Sequence, residues 1–217
     1  MARTLRDPEC VFCQPNDRTV WEGHGLAICS DPAPLAPGHL LIYTQEHHPS
    51  AADVGSELAA RVDDLERVVG ELVCDEYGDY IVFEHGRTGH CLRSRPGERM
   101  CHHVHVHIIP GRLDIGSLVL LGQRTRVESW VDVVEQGSDT DGYVVVGRGK
   151  DGKSFYPVAQ PLPPHYLRSV IAEASEIPEM ADWEAVVSSA GAGTRDAAPE
   201  SHALVEALVA RMPIEVS

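Results

Sequence analysis

Residues 103–109 constrain the fold more than any other segment, because histidines and apolar residues alternate along them with a period of two. Successive side chains of an extended strand point to opposite faces, so such a segment presents one imidazole face and one apolar face. The two sets are His103, His105 and His107 on one side, and Val104, Val106 and Ile108 on the other. Pro110-Gly111 follows and is typical of a strand end. The segment is therefore predicted to be a strand that buries its apolar face.

The sequence before this strand predicts an α+β fold with an antiparallel sheet. Short strands are predicted at residues 19–22, 26–30, 38–43 and 80–84, the first two around a Gly-His-Gly turn. Apolar residues recur at helical spacing from Val54 to Val73, and Ser50 with Asp53 fits a capping box for that helix. This succession of strands around one long helix favours an antiparallel meander over a parallel βαβ sheet.

The second half of the chain carries weaker signals. Helices are predicted at residues 129–136, 166–174 and 202–212, a hairpin from residues 143–146 and 154–158, and a linker rich in Gly and Ala at residues 188–199. We therefore divide the chain into a first domain, residues 1–115, and a C-terminal extension of mixed α/β structure, residues 116–217, that packs on it.

The charge balance limits the partners of the chain. Eighteen Lys and Arg residues stand against thirty-three Asp and Glu residues, which gives a formal net charge of −15. Phosphate contacts dominate nucleic-acid affinity, so this surface disfavours nucleic-acid polymers and acidic membranes, whereas a small nucleotide site can still be locally positive. No apolar run approaches the ~20 residues of a membrane span, and the start lacks an apolar signal core. A cytoplasmic protein that binds neither a nucleic-acid polymer nor a membrane is expected.

Three explanations compete for the three histidines on one strand face. They are a solvated polar face, a catalytic metal centre built from two or three of them, and nucleophilic catalysis at phosphorus. Imidazole titrates near neutrality, so one ring can attack while a protonated neighbour steadies the oxyanion. Three imidazoles in a row gain little from packing and would repel if all were charged. We therefore favour the nucleophilic explanation.

A second candidate site begins at Cys10-Val11-Phe12-Cys13, a C-x-x-C pair. Such a pair is half of many structural zinc sites, which need two further ligands to close a tetrahedron. A redox pair and two plain thiols are the alternatives. A disulfide framework is not expected for the six cysteines of a cytosolic chain.

These motifs together resemble the histidine triad (HIT) superfamily, whose signature is His-φ-His-φ-His-φ-φ with φ apolar. Residues 103–109 match it at every position. Upstream, Asp31, the stretch Ala36-Pro37-Gly38-His39-Leu40-Leu41-Ile42 and Glu46-His47 resemble the family's Asp…Pro-Gly-His-Leu-Leu-Val…Lys-x-His segment. The pair of Cys10 and Cys13 is typical of bacterial members. The matching features cover residues from about 10 to 112 in the right order.

The resemblance implies a HIT-like fold and an enzyme that hydrolyses or transfers a nucleotidyl group at the α-phosphorus of a nucleotide or nucleotide conjugate. His105 would be the nucleophile and form a nucleotidyl-histidine intermediate, and His103 and His107 would complete the catalytic set. His107 would also contact the phosphate, Asp31 would hold the ribose hydroxyls, and His39 would brace the triad strand. Members of the family commonly form two-fold dimers, so a homodimer is expected.

The resemblance also supplies the two missing metal ligands. In zinc-bearing members of the family they come from the positions of His47 and His103. A structural Zn²⁺ held by Cys10, Cys13, His47 and His103 is therefore implied, and it would tie the N-terminal arm to the strand that enters the triad.

Two positions depart from the family pattern. Glu84 stands where Asn is common, and a carboxylate near a phosphate is unfavourable unless it is protonated, paired or turned away. Met100 stands where a small Ser or Thr is common and cannot donate a hydrogen bond. Arginines of the following loop are candidates to replace the lost donors or, alternatively, form a solvated loop; they are Arg87, Arg93, Arg95 and Arg99. We count Glu84 and Arg99 among the nucleotide-binding residues.

The C-terminal extension adds one further candidate and leaves two other functions open. The stretch of residues 163–172 followed by Trp183 resembles the tails of a bacterial HIT subgroup, so Arg168 is a candidate pocket contact. Its neighbours Leu167 and Ile171 equally fit the buried stripe of a packing helix. A nucleotide-binding scaffold without turnover and a zinc-dependent hydrolase that uses the histidine cluster are the alternative functions.

Overall fold

The computed structural model describes residue 7 and residues 10–88, 102–149, 151–190 and 199–212. Its strands are β1 (Thr19–Gly23), β2 (Leu26–Ser30), β3 (Leu40–Thr44), β4 (Tyr80–Gly86), β5 (His105–Pro110), β6 (Thr125–Val127), β7 (Tyr143–Arg148) and β8 (Lys153–Pro157). Its helices are α1 (Gly55–Tyr77), α2 (Ile115–Leu118), α3 (Trp130–Gly137), α4 (Tyr166–Ala174), α5 (Trp183–Ser189) and α6 (Pro199–Val209), with single 3₁₀ turns at Ala51–Asp53 and Pro178–Met180. None of the described helices is both long and apolar enough to cross a membrane.

The described strands form one antiparallel sheet in the order β1-β2-β3-β5-β4-β7-β8-β6, which confirms the α+β class. The triad strand β5 lies between β3 and β4, so that His107 pairs with Leu41 on one side and with Phe83 on the other. A simple meander would have placed β4 directly beside β3. The crossover through α1 instead separates β3 from β4 by one strand, and β5 fills that position. The histidines therefore lie inside the sheet rather than at its edge.

The long helix begins later than its sequence pattern predicts. The capping box predicted from Ser50 and Asp53 is wrong, because α1 starts at Gly55 and its N-cap, Val54, makes no side-chain hydrogen bond to the helix. The Ser50 hydroxyl instead donates to the Asp53 carboxylate at 2.7 Å, beside the preceding 3₁₀ turn. The helix ends at Gly78, whose φ of 87° costs glycine little. Burial of its apolar stripe, rather than its N-cap, holds α1 on the sheet.

The sheet buries apolar side chains on both faces. One core packs against α1, α3 and α6 and contains the apolar side of the triad segment, namely Val104, Val106 and Ile108. The opposite core packs against α2 and α4 and contains Phe83, Ile109, Leu167 and Ile171. The two-faced character predicted for residues 103–109 is therefore confirmed on its apolar side.

The C-terminal extension contributes to the same sheet. Strand β7 pairs with β4 over six residues, and β8 and β6 continue the sheet beyond it. Helix α3 begins with a capping box in which Ser129 and Asp132 each accept the other's backbone N–H. The domain boundary at residue 115 stays a prediction, but strands from both sides of it share one sheet and both cores.

Candidate active site

A pocket of about 130 Å³ lies over the imidazole face of β5. A single water needs ~10–15 Å³ on this measure, so the space accepts a group of several heavy atoms. The first half of the chain supplies its central histidines, and the extension supplies Arg168 and Trp183. The side chains that line it include Phe12, Asp31, His85, His103, His105, His107, Arg168 and Trp183.

The ring of His105 is fixed by its own strand and by the N-terminal arm. Its Nδ1 lies 2.7 Å from the carbonyl oxygen of His103. A carbonyl oxygen can only accept, so Nδ1 carries the proton and Nε2 carries the lone pair when the ring is neutral. Phe12 stacks on the ring with centroids 4.8 Å apart and an interplanar angle of 28°. Nε2 is thereby the nucleophilic nitrogen of a ring whose orientation is fixed on two sides.

A relay of hydrogen bonds fixes the ring of His107. The N–H of Leu35 donates to Nδ1 of His39 at 3.2 Å, which leaves the proton of His39 on Nε2. That Nε2–H donates to Nδ1 of His107 at 3.0 Å. The proton of neutral His107 must therefore be on Nε2, a buried atom that has no hydrogen-bond partner among the described residues. Phe83 stacks on the ring at 4.1 Å. The relay thus presents an unsatisfied N–H donor beside His105.

Burial keeps these rings neutral near pH 7. It lowers the pKa of His39 to about 4 and lowers the pKa of His107 well below its ordinary value of 6.5. Burial also lowers the pKa of His105, against the opposing effects of the His103 carbonyl and nearby carboxylates. A neutral His105 is nucleophilic, whereas its protonated form is not. This arrangement differs from the sequence-based interpretation, in which a neighbouring histidine is protonated.

The four predicted metal ligands converge beside the pocket. The ligand atoms of Cys10, Cys13, His47 and His103 all lie within 4.8 Å of one another. Nδ1 of His103 is 3.3 Å from Sγ of Cys10 and 3.7 Å from Sγ of Cys13, and Nδ1 of His47 is 3.4 Å from Sγ of Cys13. A tetrahedral zinc with its usual bond lengths separates a sulfur and a nitrogen ligand by about 3.6 Å. The group therefore fits a zinc ion in size and in donor chemistry.

The environment of His103 supports the same assignment. Its Nε2 lies 2.8 Å from the carbonyl oxygen of Thr44, so the proton is on Nε2 and the lone pair is on Nδ1, toward the cysteines. A metal-binding histidine usually donates its other N–H to such an acceptor. His103 precedes the first residue of β5, His105, and belongs to the metal-ligand group as well as to the pocket wall.

Asp31 is bound by an arginine of the C-terminal extension. Arg168 donates from Nη1 to Asp31 Oδ2 at 2.9 Å, and its other N–H groups bind the carbonyls of Ala33, Met180 and Ala181. Both side chains are buried. Asp31 also forms a second group of candidate metal ligands with His39 and His107, within 4.8 Å. A guanidinium already bound to the carboxylate disfavours a divalent cation there, because the two positive charges would compete.

We expect the Asp31–Arg168 pair to dominate the attachment of α4. Asp31→Asn or Arg168→Met should each lower the free energy of unfolding by about 3–5 kcal/mol, because each leaves a buried charge unpaired. The double variant should lose clearly less than the sum, as urea denaturation will measure. Arg61→Met, in the exposed pair with Glu57, serves as the control and should change little. Additive losses at positions 31 and 168 would show that the pair does not act as a unit.

Glu84 does not line the pocket, which corrects its assignment as a nucleotide contact. Its neighbours in β4, Phe83 and His85, point to the pocket face, so strand alternation turns Glu84 to the opposite face. There its Oε1 accepts the N–H of Ala51 at 3.4 Å, and burial raises its pKa to about 7. The carboxylate is thus turned away from any phosphate in the pocket.

The arginine loop contributes one described side chain, and it is bound elsewhere. Arg87 forms an ion pair with Asp53 at 2.6 Å and donates to the carbonyl of Thr140 at 2.7 Å. Its proposed role as a replacement phosphate donor is therefore wrong. The other residues of that hypothesis lie outside the described residues, namely Arg93, Arg95, Arg99 and Met100.

Four of the pocket-lining residues were not among the site residues assigned from the sequence, namely Phe12, His85, Thr88 and Trp183. His85 lies in β4 and Thr88 lies just after its end. The sequence alone does not say which side chains of β4 lie on the same side of the sheet as the triad imidazoles. Trp183, the first residue of α5, was quoted only as part of the tail resemblance, and no pocket contact was assigned to it. Phe12 was quoted only as a spacer between the two cysteines, whereas it stacks directly on His105.

Comparisons with known proteins give only distant matches. No protein-family model matches the chain, and no curated protein does. Among solved structures, the chain is similar to a HIT-like protein involved in cell-cycle regulation from Bartonella henselae, with 21% identity over 43% of this chain and 65% of that one, and a TM-score of 0.33. A hypothetical histidine triad nucleotide-binding protein from Sulfolobus tokodaii matches with 18% identity over 58% of this chain and 87% of that one, TM-score 0.35. A HIT family hydrolase from Clostridium thermocellum matches with 21% identity over 49% and 93%, TM-score 0.33. The chain thus spans just under two thirds of the Bartonella protein, and its function has to be argued from the pocket itself.

Proposed function

We propose that this protein is a nucleotide hydrolase or nucleotidyl transferase of the histidine-triad type, with His105 as the nucleophile. The observation that carries the proposal is the hydrogen bond from His105 Nδ1 to the His103 carbonyl oxygen, which leaves the lone pair on Nε2 in a pocket-lining ring. A nucleophile that is already neutral and oriented needs no general base for the first step.

The reaction consists of two displacements at the α-phosphorus. In the first, the lone pair of His105 Nε2 forms the N–P bond while the bond from phosphorus to the leaving group breaks, and the leaving group takes that electron pair. In the second, water or another acceptor attacks phosphorus, the N–P bond breaks, its electron pair returns to Nε2, and the proton of the attacking group is released to solvent. Two such steps divide a difficult hydrolysis into easier ones.

The other histidines stabilise charge rather than attack. The Nε2–H of His107 is suited to donate to a non-bridging phosphate oxygen, whose charge increases in the transition state. Because the relay through His39 fixes this tautomer, the donor does not need to reorient during the reaction. His103 contributes its carbonyl oxygen, which orients His105. Asp31 is proposed to bind the ribose hydroxyls. A carboxylate has about four acceptor positions, so the hydrogen bond from Arg168 does not exhaust them.

The metal that we propose is a structural Zn²⁺. Its ligands would be Cys10, Cys13, His47 and His103, a set of four protein donors that closes the coordination sphere. Such an ion supplies folding energy and fixes its ligands, and here it would hold the arm that carries Phe12 against His105. The proposed partner is a small nucleotide or nucleotide conjugate, and a homodimer stays a prediction.

Trapping of the intermediate tests the proposal. The protein is mixed with a radiolabelled adenosine phosphoramidate or dinucleoside polyphosphate and quenched at alkaline pH, because N–P bonds to histidine are acid-labile. We expect one nucleoside monophosphoryl group on the peptide that contains His105, identified by mass spectrometry. Turnover with the label on another residue would contradict the assignment of His105. Nucleotide binding without turnover would favour the scaffold alternative instead.

A further inference from the structure

We propose that His85 is a further catalytic residue, which donates a hydrogen bond from Nδ1 to an oxygen of the transferred phosphoryl group. This inference rests on the proposed function, and it concerns a residue of β4 outside the triad motif. Its side chain lines the pocket together with His105 and His107.

The sheet register brings His85 to the level of the nucleophile. Phe83 in β4 pairs with His107 in the antiparallel β5. Two residues farther along β4 and two residues back along β5, position 85 is therefore level with position 105 on the same face. The rings of Phe83 and His85 meet edge to face, with centroids 5.6 Å apart. His85 and His107 thus both lie beside His105 on the pocket face of the sheet.

The C-terminal extension sets the tautomer of His85. The backbone N–H of Leu167 donates to Nε2 of His85 at 3.2 Å. A backbone N–H can only donate, so Nε2 is the acceptor and the proton of the neutral ring is on Nδ1. Leu167 lies in the first turn of α4, where backbone N–H groups have no partner within the helix. The ring therefore caps the helix with one nitrogen and offers an N–H with the other.

The same hydrogen bond defines what His85 does in the reaction. A proton on Nε2 would face the N–H of Leu167, so His85 acts as a hydrogen-bond donor through Nδ1 and not as a general acid through Nε2. Together with Nε2–H of His107, it gives the pocket two imidazole N–H donors in fixed tautomers. Donors fixed in advance stabilise developing charge without reorganisation, and removal of one typically costs 10²–10³ in rate. No covalent step passes through His85.

Two substitutions separate the catalytic donor from the helix cap. Asn places its amide at the distance of Nδ1 from the backbone, so His85→Asn keeps the donor and loses the contact with Leu167. Gln places its amide at the distance of Nε2, so His85→Gln keeps that contact and loses the donor. His85→Leu loses both, and His24→Asn in the exposed β1–β2 turn is the control.

The expected pattern is opposite for activity and for stability. We expect kcat for nucleotidyl transfer to fall roughly 100-fold in His85→Gln and His85→Leu, and by less than roughly tenfold in His85→Asn. The thermal midpoint should instead fall by roughly 2–4 °C in His85→Asn and His85→Leu, and little in His85→Gln. A purely structural His85 would make kcat follow stability, with His85→Gln the most active variant, and that result would overturn the inference.

Two further measurements do not depend on turnover. Long-range ¹H–¹⁵N spectra of the protein labelled on histidine nitrogens should show His85 with its proton on Nδ1. Calorimetry should show weaker binding of adenosine monophosphate in His85→Gln than in His85→Asn. If the wild-type protein forms no adduct on His105, the proposed function fails. The spectra and the calorimetry still test whether His85 donates from Nδ1 to a phosphate. A proton found on Nε2, or equal nucleotide binding by both variants, would overturn the inference.

Discussion

Replacement of His105 by glycine is expected to reduce nucleotidyl transfer by at least about 10⁴-fold, with little change in nucleotide affinity. The Nε2 lone pair forms the only bond to phosphorus that the protein supplies, so no neighbouring ring can replace it. His107 is held as a donor by the relay from Leu35, and His103 directs its lone pair toward the cysteines. Rapid-quench kinetics with the labelled substrate, together with calorimetry for the monophosphate, measures the two effects separately.

Exogenous imidazole supplies the control for this substitution. The glycine variant leaves a space the size of the missing ring, so added imidazole should restore part of the turnover and release a nucleotidyl-imidazole. His107→Gly should lose activity as well, but imidazole should not restore the fixed N–H donor, whose tautomer depends on the bond to His39. His24→Gly, in the exposed turn, should behave as the wild type does. A His105→Gly variant that still turns over at a tenth of the wild-type rate would exclude His105 as the nucleophile.

The sequence predicts the centre of the site because the signal there is local. Alternation along residues 103–109 predicts which side chains of the triad segment share a face, and it needs no knowledge of the rest of the sheet. The metal ligands were identified by the family resemblance, and the structure brings all four together. In both cases the residue type already restricts the chemistry, because few roles require clustered histidines and cysteines.

The remainder of the site depends on contacts that local patterns cannot reveal. Asp31 and Arg168 are 137 residues apart, and His85 and Leu167 are 82 residues apart. Glu84 was assigned to the nucleotide from its motif position, but a motif does not say which side chains of β4 share a face of the sheet with the triad imidazoles. Only the register of Phe83 with His107 decides that His85 is the side chain in the pocket.

The strand order illustrates the same limit at the level of the fold. Each of the first five strands is visible in the sequence as a short apolar or alternating segment, but such a series of strands around one helix is compatible with several strand orders. The position of β5 between β3 and β4 is seen only in the packed sheet, where Val106 and Ile108 enter the core that contains the buried face of α1. Strand order is thus a property of the packed sheet and not of any one segment.

Removal of the metal is expected to give the second large effect. We expect close to one zinc per chain in the purified protein, and its removal by a strong chelator should lower the thermal midpoint by roughly 10 °C. The reason is that the ion would join the N-terminal arm to the start of β5 and to His47, which follows β3, through four coordination bonds. Elemental analysis and thermal unfolding, before and after chelation, provide the measurement.

Loss of the metal should also lower the rate of nucleotidyl transfer, because it would release Phe12 from the ring of His105. Cys13→Ser should abolish zinc binding and lower kcat, because the arm would no longer hold Phe12 against the ring of His105. Cys74→Ser is the matched control, since Cys74 lies in α1 and belongs to neither the pocket nor the ligand group. X-ray absorption should show two sulfur and two nitrogen ligands at the distances of tetrahedral zinc. A Cys13→Ser protein that keeps stoichiometric zinc would contradict Cys13 as a ligand. A wild-type protein isolated with a Cys10–Cys13 disulfide and no metal would favour the redox pair over the structural zinc. Either result would remove the reason for the expected loss of kcat.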